Sequence, residues 1–282
     1  MSTPTTTPFP LGRRKYHDPR NIDFPVGVLP KSVLNSIVWP RRVPIFDQGS
    51  LGSCTGNAAA GWAGTDCLAR LGLERVTLAA SGALLGSPVY GTGGVVVPVD
   101  EDFAVRAYGL ATQLDSFSGT YPPTDTGSDG PSAAKALTKL GVAGSYWHAF
   151  SIAALQSALQ SGPVMWGTVW YNSMFDLDTS DYLVVKASSG EAGGHELLIT
   201  GWDKTTDVYR VANSWASTWG DHGYFYVKAK DMKTLLAADG DLTQPVALPV
   251  APVPAVVTDA QLYTAFKAFQ TTAQAWVSTR TV

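Results

Sequence analysis

Gly193-Gly194-His195-Glu196-Leu197-Leu198-Ile199-Thr200-Gly201-Trp202, followed by Asp203-Lys204-Thr205-Thr206-Asp207 and then Val208-Tyr209-Arg210-Val211-Ala212-Asn213-Ser214-Trp215, reads as one β-hairpin. Two apolar, strand-forming runs flank a short polar turn. Side chains alternate across a strand, so Leu197 and Ile199 share the face of His195, and Glu196 and Leu198 take the other. A hairpin centred near Thr205 pairs position 195 near 215 and 197 near 213. Asn213 then lies diagonal to His195 on the same face, within side-chain reach. An amide oxygen placed there holds an imidazole in one tautomer. A lone histidine is more often structural than catalytic; one with such a neighbour is a candidate for chemistry.

A second stretch supplies what a histidine would act on. Phe46-Asp47-Gln48-Gly49-Ser50-Leu51-Gly52-Ser53-Cys54-Thr55-Gly56-Asn57-Ala58 places a cysteine directly after a glycine-rich loop, at the start of a predicted helix. Unpaired N–H groups and the positive dipole end favour a thiolate there, and the thiolate is the nucleophile. Taken alone, Cys54 is equally well a small buried hydrophobe beside an alanine-rich helix. That helix is expected to run over 54–71, with Gly72 as its C-cap. Cys67 on the same helix would lie roughly 20 Å from Cys54. A disulfide needs Cα atoms within about 7 Å, so the two should not pair.

Around these stretches the chain divides into five segments. Residues 1–46, interrupted by Pro19, Pro25, Pro30, Pro40 and Pro44, read as an extended arm. Within it, Arg13-Arg14-Lys15 reads as a solvated basic turn. Residues 47–140 have helical spacing, with further helices expected at 100–114, opened by Asp100-Glu101-Asp102, and at 132–140 after Pro131. Residues 141–242 are strand-rich: a short helix at 151–160 precedes strands at 164–170, 182–186, 195–202, 208–215 and 224–227. Residues 243–257 read as a proline-rich linker. Residues 258–282 read as a helix opened by Thr258-Asp259-Ala260-Gln261, with Leu262, Phe266, Phe269, Ala273 and Trp276 forming one apolar stripe. That stripe either folds back on its own domain or docks on a partner or a second copy. A helical part followed by a strand-rich part implies an α+β protein of two subdomains, with a cleft between them.

Composition narrows the partners. The 282 residues carry a net charge of −3 and only 15% charged residues, so no basic field exists to draw in nucleic acid or an anionic membrane. No apolar run follows the basic cluster near the start, as a secretory signal would require, and the most apolar late stretch, 246–257, is broken by Pro249, Pro252 and Pro254. A cytoplasmic or virion-associated location is expected over classical secretion. No cofactor or metal is expected.

Asp47-Gln48-Gly49, Gly52-Ser53-Cys54, Gly193-Gly194-His195, Asn213-Ser214-Trp215, Trp219-Gly220 and Gly223-Tyr224-Phe225, in that order, resemble the motifs of the papain-like (C1-type) cysteine peptidases. The resemblance spans 47–228 and is closest to the propeptide-poor bacterial and bacteriophage members. It implies the two-subdomain papain-like fold, with a helical left half, an antiparallel β right half and a cleft between. It implies a cysteine endopeptidase in which Cys54 attacks the peptide carbonyl, His195 accepts and returns the proton, and Asn213 orients the histidine. Gln48 matches the family's oxyanion-hole glutamine, acting with the backbone N–H of Cys54. Trp215 would cover the His–Asn contact, Trp219 packs nearby, and Gly193 and Gly194 would line the substrate cleft. Residues 1–46 lack the length and helical pattern of the family's long inhibitory propeptide, so latency through such a segment is not expected.

Several positions depart from the family. Leu51 stands where many members have cysteine, Thr55 replaces the usual tryptophan, and His222 replaces a frequent Glu or Asn, read as a surface structural residue. Glu196 stands where a small residue is common; it reads as a structural acid facing away from His195, its partner open. Two other readings share the residues: a Cys-His-Asn amidase or cell-wall peptide hydrolase, and an assembly component of a phage particle that carries a peptidase domain and binds through 258–282.

Overall fold

Helix α1 (Cys54–Ala63) is built from Ala, Gly, Cys, Thr and Asn with a single large side chain, Trp62, and every one of its residues is buried. Small residues let neighbouring backbones approach: a side chain at Gly56 would strike the carbonyl of Ala104 and the body of Tyr108. Both belong to helix α2 (Glu101–Leu114), whose N-cap Asp100 accepts from the Phe103 N–H at 3.0 Å. Helix α3 (Gly130–Lys139) starts two residues before the expected position, because Asp129 caps it by accepting from the Ser132 N–H at 2.8 Å and Pro131 fits its first turn. The computed structural model describes residues 8–79 and 94–248, and the statements below concern those residues.

Helix α1 does not continue to 71. Its last carbonyls are claimed by returning chain: the Leu73 N–H donates to Ala63 O at 2.8 Å and the Arg42 N–H to Gly64 O at 2.8 Å. Cys67 therefore lies beyond the helix, in a turn paired with Arg70, and the expected separation along one helix axis does not apply. Both cysteines are free thiols.

Seven strands form one sheet in the order β4 (Ala143–His148), β9 (Asp241–Ala247), β5 (Val164–Tyr171), β6 (Glu191–Asp203), β7 (Val208–Ala212) and β8 (Tyr224–Lys228), with β1 (Ile37–Val38) pairing β6 off this path. All the pairings are antiparallel. The hairpin register is the expected one where it matters: Leu198 faces Ala212 and Ile199 faces Val211, before a bulge shifts the turn end by one residue. A separate pair, β2 (Arg75–Thr77) and β3 (Val96–Pro98), flanks the helices. Helix α4 (Ile152–Ala158) is capped by Ser151 as its spacing suggests; helix α5 (Ala229–Ala237), with Met232 and Leu235 buried, has no counterpart in the sequence reading.

Two expectations fail here. Residues 182–186 form no strand, only isolated bridges from Leu183 to Leu177 and from Tyr182 to Tyr226. Residues 243–247 are not linker but the end of β9. Pro245 is tolerated because β9 pairs with β5 only over 241–243, so the proline sits where one side of the strand alone is laddered. The rest of the expected linker and the helix at 258–282 lie outside the described residues.

Two apolar clusters follow from this layout. One joins α1, α2 and α3 to Met165, Leu198 and Ala212 of the sheet. The other takes the opposite face, where Leu197, Ile199, Trp166, Val211 and Phe225 pack with α4 and α5. Alternation along β6 thus sends successive residues into different cores. No described helix is long and apolar enough to cross a membrane.

Candidate active site

The loop before α1 is held by both halves of the protein. Gly52 donates its N–H to Asp125 Oδ2 at 2.7 Å; Asp125 Oδ1 accepts from the Tyr108 hydroxyl at 2.5 Å, and that hydroxyl accepts the Gly127 N–H at 2.9 Å. From the sheet side, the Gln48 N–H donates to Ser214 O at 2.9 Å. Gly49, at φ 57°, turns the chain between them while its N–H donates to Asp47 Oδ1 at 2.9 Å. Cys54, the first residue of α1, emerges from this clamp fully buried.

His195 Nε2 and Asn213 Oδ1 are 2.8 Å apart. The same oxygen accepts the Ser214 N–H at 2.8 Å, which fixes the orientation of the amide. An acceptor opposite Nε2 requires that nitrogen to carry the proton, so Nδ1 keeps its lone pair. Nδ1 is buried and makes no hydrogen bond. Trp215 stacks on the imidazole at 4.6 Å and 17°, and Trp170 meets it edge-on at 5.1 Å. Trp219 in turn stands edge-on to Trp215 at 5.1 Å. These rings exclude water from the His195–Asn213 contact.

The amide of Gln48 is equally constrained. Ser214 Oγ donates to its Oε1 at 2.6 Å, which turns Nε2 toward Leu51 O at 2.9 Å and Pro10 O at 3.4 Å. Pro10 belongs to the N-terminal arm, whose Gly12 reaches the fully buried Cys54 through its backbone. Phe9 stacks on Trp215 at 4.5 Å and 10°. Gly12 passes so close to Gly52 that any side chain would strike its carbonyl. The arm is hydrogen-bonded to both walls: Ser128 N–H to Gly12 O at 2.9 Å, Arg14 N–H to Ser128 O at 2.7 Å and Arg13 N–H to Gly194 O at 3.0 Å. Leu11 packs against Gly193. An extended, non-helical segment within residues 1–46 therefore lies across the cleft, which the expectation about latency did not anticipate.

Covering the site has an electrostatic consequence. Burial pushes the Cys54 thiol up to about 12, against the opposing backbone N–H groups of Glu196, Gly12 and Thr55. Burial also lowers His195 to about 4, with the Asn213 bond acting in the other direction. Both groups are neutral near pH 7 in this conformation. The helix start does not by itself make a thiolate here, because desolvation outweighs it.

Arg13 corrects another expectation. It is not a solvated turn residue but only 4% exposed, ion-paired with Asp241 on β9. Asp125, Tyr108 and Asp241 are further site residues that sequence reasoning passed over. Asp125 was hidden in a loop of Pro, Thr and Gly, and no local pattern ties Asp241 to position 13.

The model of the papain family cysteine proteases matches residues 41–240. Cathepsin B-like cysteine proteinase 4 of Caenorhabditis elegans is 27% identical over 230 residues, covering 67% of each chain. A peptidase C1-like protein of Acanthamoeba polyphaga mimivirus is 27% identical over 217 residues, 69% of this chain and 67% of that protein. Among solved structures, xylellain, a cysteine protease from Xylella fastidiosa, superposes with a TM-score of 0.57 over 88% of this chain and 100% of its own. At 15% identity that likeness is one of fold: an α+β, papain-like architecture.

Proposed function

We propose a residue-level mechanism for this chain, which belongs to the papain family of cysteine proteases and is a cysteine endopeptidase acting on polypeptides. Cys54 is the nucleophile, His195 the proton carrier, Asn213 the residue that positions His195, and Gln48 an oxyanion donor. The observation that carries this reading is the 2.8 Å His195–Asn213 bond, which leaves Nδ1 as a lone-pair acceptor in a water-excluded site.

Once the arm leaves, Cys54 Sγ passes its proton to His195 Nδ1 and bonds to the carbonyl carbon. The Gln48 Nε2 donor, now on Pro10 O, is free for the developing oxyanion, alongside the backbone N–H of Cys54. His195 returns the proton to the leaving nitrogen as the C–N bond breaks. Water, deprotonated by His195, then cleaves the thioester and restores the thiol. Extended backbone pairing of the arm with Ser128 and Gly194 supports the same geometry for a substrate chain, with Gly193, Trp215 and Trp219 lining the cleft.

Kinship with the bacterial and bacteriophage members is the finer reading, and the motif run over 47–228 that carries the resemblance is its support. A low charge density supports a protein that uses neither nucleic acid nor an anionic membrane, and the apolar stripe in the sequence of 258–282 supports a protein partner or self-association.

Stopped-flow hydrolysis of an activated peptide ester tests the chemistry. A burst equal to the enzyme concentration, abolished in Cys54→Ala, is expected; a steady rate without a burst and unchanged in that variant overturns it.

A further inference from the structure

We propose that Asn57 is a positioning residue for the catalytic pair, acting on Asn213 through one water held in the small cavity that the two side chains share. The inference rests on the roles assigned above to Cys54, His195 and Asn213, and it adds the group that keeps the Asn213 amide the right way round.

Asn57 lies three residues after Cys54, on the same face of α1. Its backbone N–H donates to Ser53 O at 3.0 Å, and its Nδ2 donates to Ser53 O and Ser53 Oγ, both at 3.0 Å. A carbonyl oxygen can meet only the NH2 end of an amide, so this pairing settles which way the group points and leaves Oδ1 over. Asn213 is fixed in the same manner from the sheet. Its Oδ1 is held by His195 Nε2 and accepts the Ser214 N–H, which leaves Nδ2 over. Asn57 Oδ1 and Asn213 Nδ2 are both buried and meet no protein hydrogen-bond partner.

Both side chains line one cavity of about 10 Å³, room for a single water. Phe46, Ala58 and Leu198 supply apolar wall. Arg41 also lines it, but directs Nε and Nη2 at Val43 O and Pro44 O. An acceptor and a donor in one small cavity are what a bridging water needs: it donates to Asn57 Oδ1 and accepts from Asn213 Nδ2. Without the bridge each atom would carry its full desolvation cost. The bridge also has a chemical consequence. A flipped Asn213 would present NH2 to His195 Nε2 and force the ring proton onto Nδ1, the nitrogen that must stay open to take the thiol proton. Holding Nδ2 as well as Oδ1 opposes that flip. The route from Ser53 through Asn57, the water and Asn213 to His195 ties the residue before the nucleophile to the base.

The test is a double-mutant cycle on the full chain, with Asn57→Leu and Asn213→Ala alone and together, read by hydrolysis of a fluorogenic peptide. Leucine has a shape close to that of asparagine and offers the water nothing. Asn57→Leu alone should lower kcat by about tenfold, the size of one hydrogen bond, with KM little changed. In the Asn213→Ala background the same substitution should cost about twofold or less, because nothing remains for it to position. Loss of the Asn57 bonds to Ser53 acts alike in both backgrounds, so equal losses overturn the inference and leave the peptidase standing. Asn213→Ala as fast as the parent would instead overturn the role of Asn213 itself, and this inference with it. Should a variant fail to fold, a crystal structure of the parent decides. An ordered water within about 3.2 Å of both Asn57 Oδ1 and Asn213 Nδ2 supports the bridge, and a well-ordered cavity without one overturns it.

Discussion

Asn213 Oδ1 sits 2.8 Å from His195 Nε2 while also accepting the Ser214 N–H, so a single oxygen sets both the tautomer and the tilt of the imidazole. Nδ1 is thereby the only ring nitrogen able to take a proton.

Asn213→Ala removes that control without touching substrate. Its kcat should fall by on the order of a hundredfold, the lower end of what a positioned general base contributes, with KM little changed. The pH profile should shift as well, because His195 loses the one bond that raises its basicity. Steady-state kinetics from pH 5 to 9 checks both.

In the proposed mechanism, Gln48→Ala deletes a donor whose catalytic use comes only when a carbonyl oxygen becomes anionic, besides its resting bonds to Leu51 O and Pro10 O. Turnover should fall by about 10²- to 10³-fold, as for other oxyanion donors. Alkylation of Cys54 by iodoacetamide forms no oxyanion, so its rate should change little. Comparing the two rates separates an oxyanion role from a general disturbance of the loop.

Asp125→Ala probes the clamp on the nucleophile loop. It strips the acceptor from the Gly52 N–H and from the Tyr108 hydroxyl, a loss of about 1–3 kcal/mol for bonds to a charged group. Urea unfolding should report that destabilisation, and the labelling rate of Cys54 should change with it.

Acid should weaken the fold through His195. Its folded value, lowered to about 4 by burial, lies below its ordinary 6.5, so the unfolded chain binds the proton first. The stabilising contribution is present above pH 6.5 and is lost as pH falls from 6.5 toward 4. His195→Gln cannot titrate, so its urea midpoint should decline less over that window than the parent's.

The hairpin at 193–215 was legible because alternation and turn chemistry are local signals, and they place Asn213 beside His195 without any distant information. Cys54 at a helix start was legible for the same reason. Arg13 was not: its partner Asp241 lies on a strand that a proline disguises, 228 residues away in sequence. Nor does any local pattern show that α1 stops at Ala63, since the groups that satisfy its end come from Arg42 and Leu73. The thiolate expectation failed for a related reason, as it took the helix dipole into account but not a strap that dries the site.

In the proposed mechanism Cys54, activated by His195, is the attacking group. Treating the chain and its Arg13→Ala variant with an epoxide of the E-64 type, then mapping the adduct by mass spectrometry, tests that assignment. The adduct should fall on Cys54 alone, faster in Arg13→Ala, and should vanish when His195→Ala is added. Equal labelling of Cys54 and Cys67, or labelling that survives loss of His195, would contradict it.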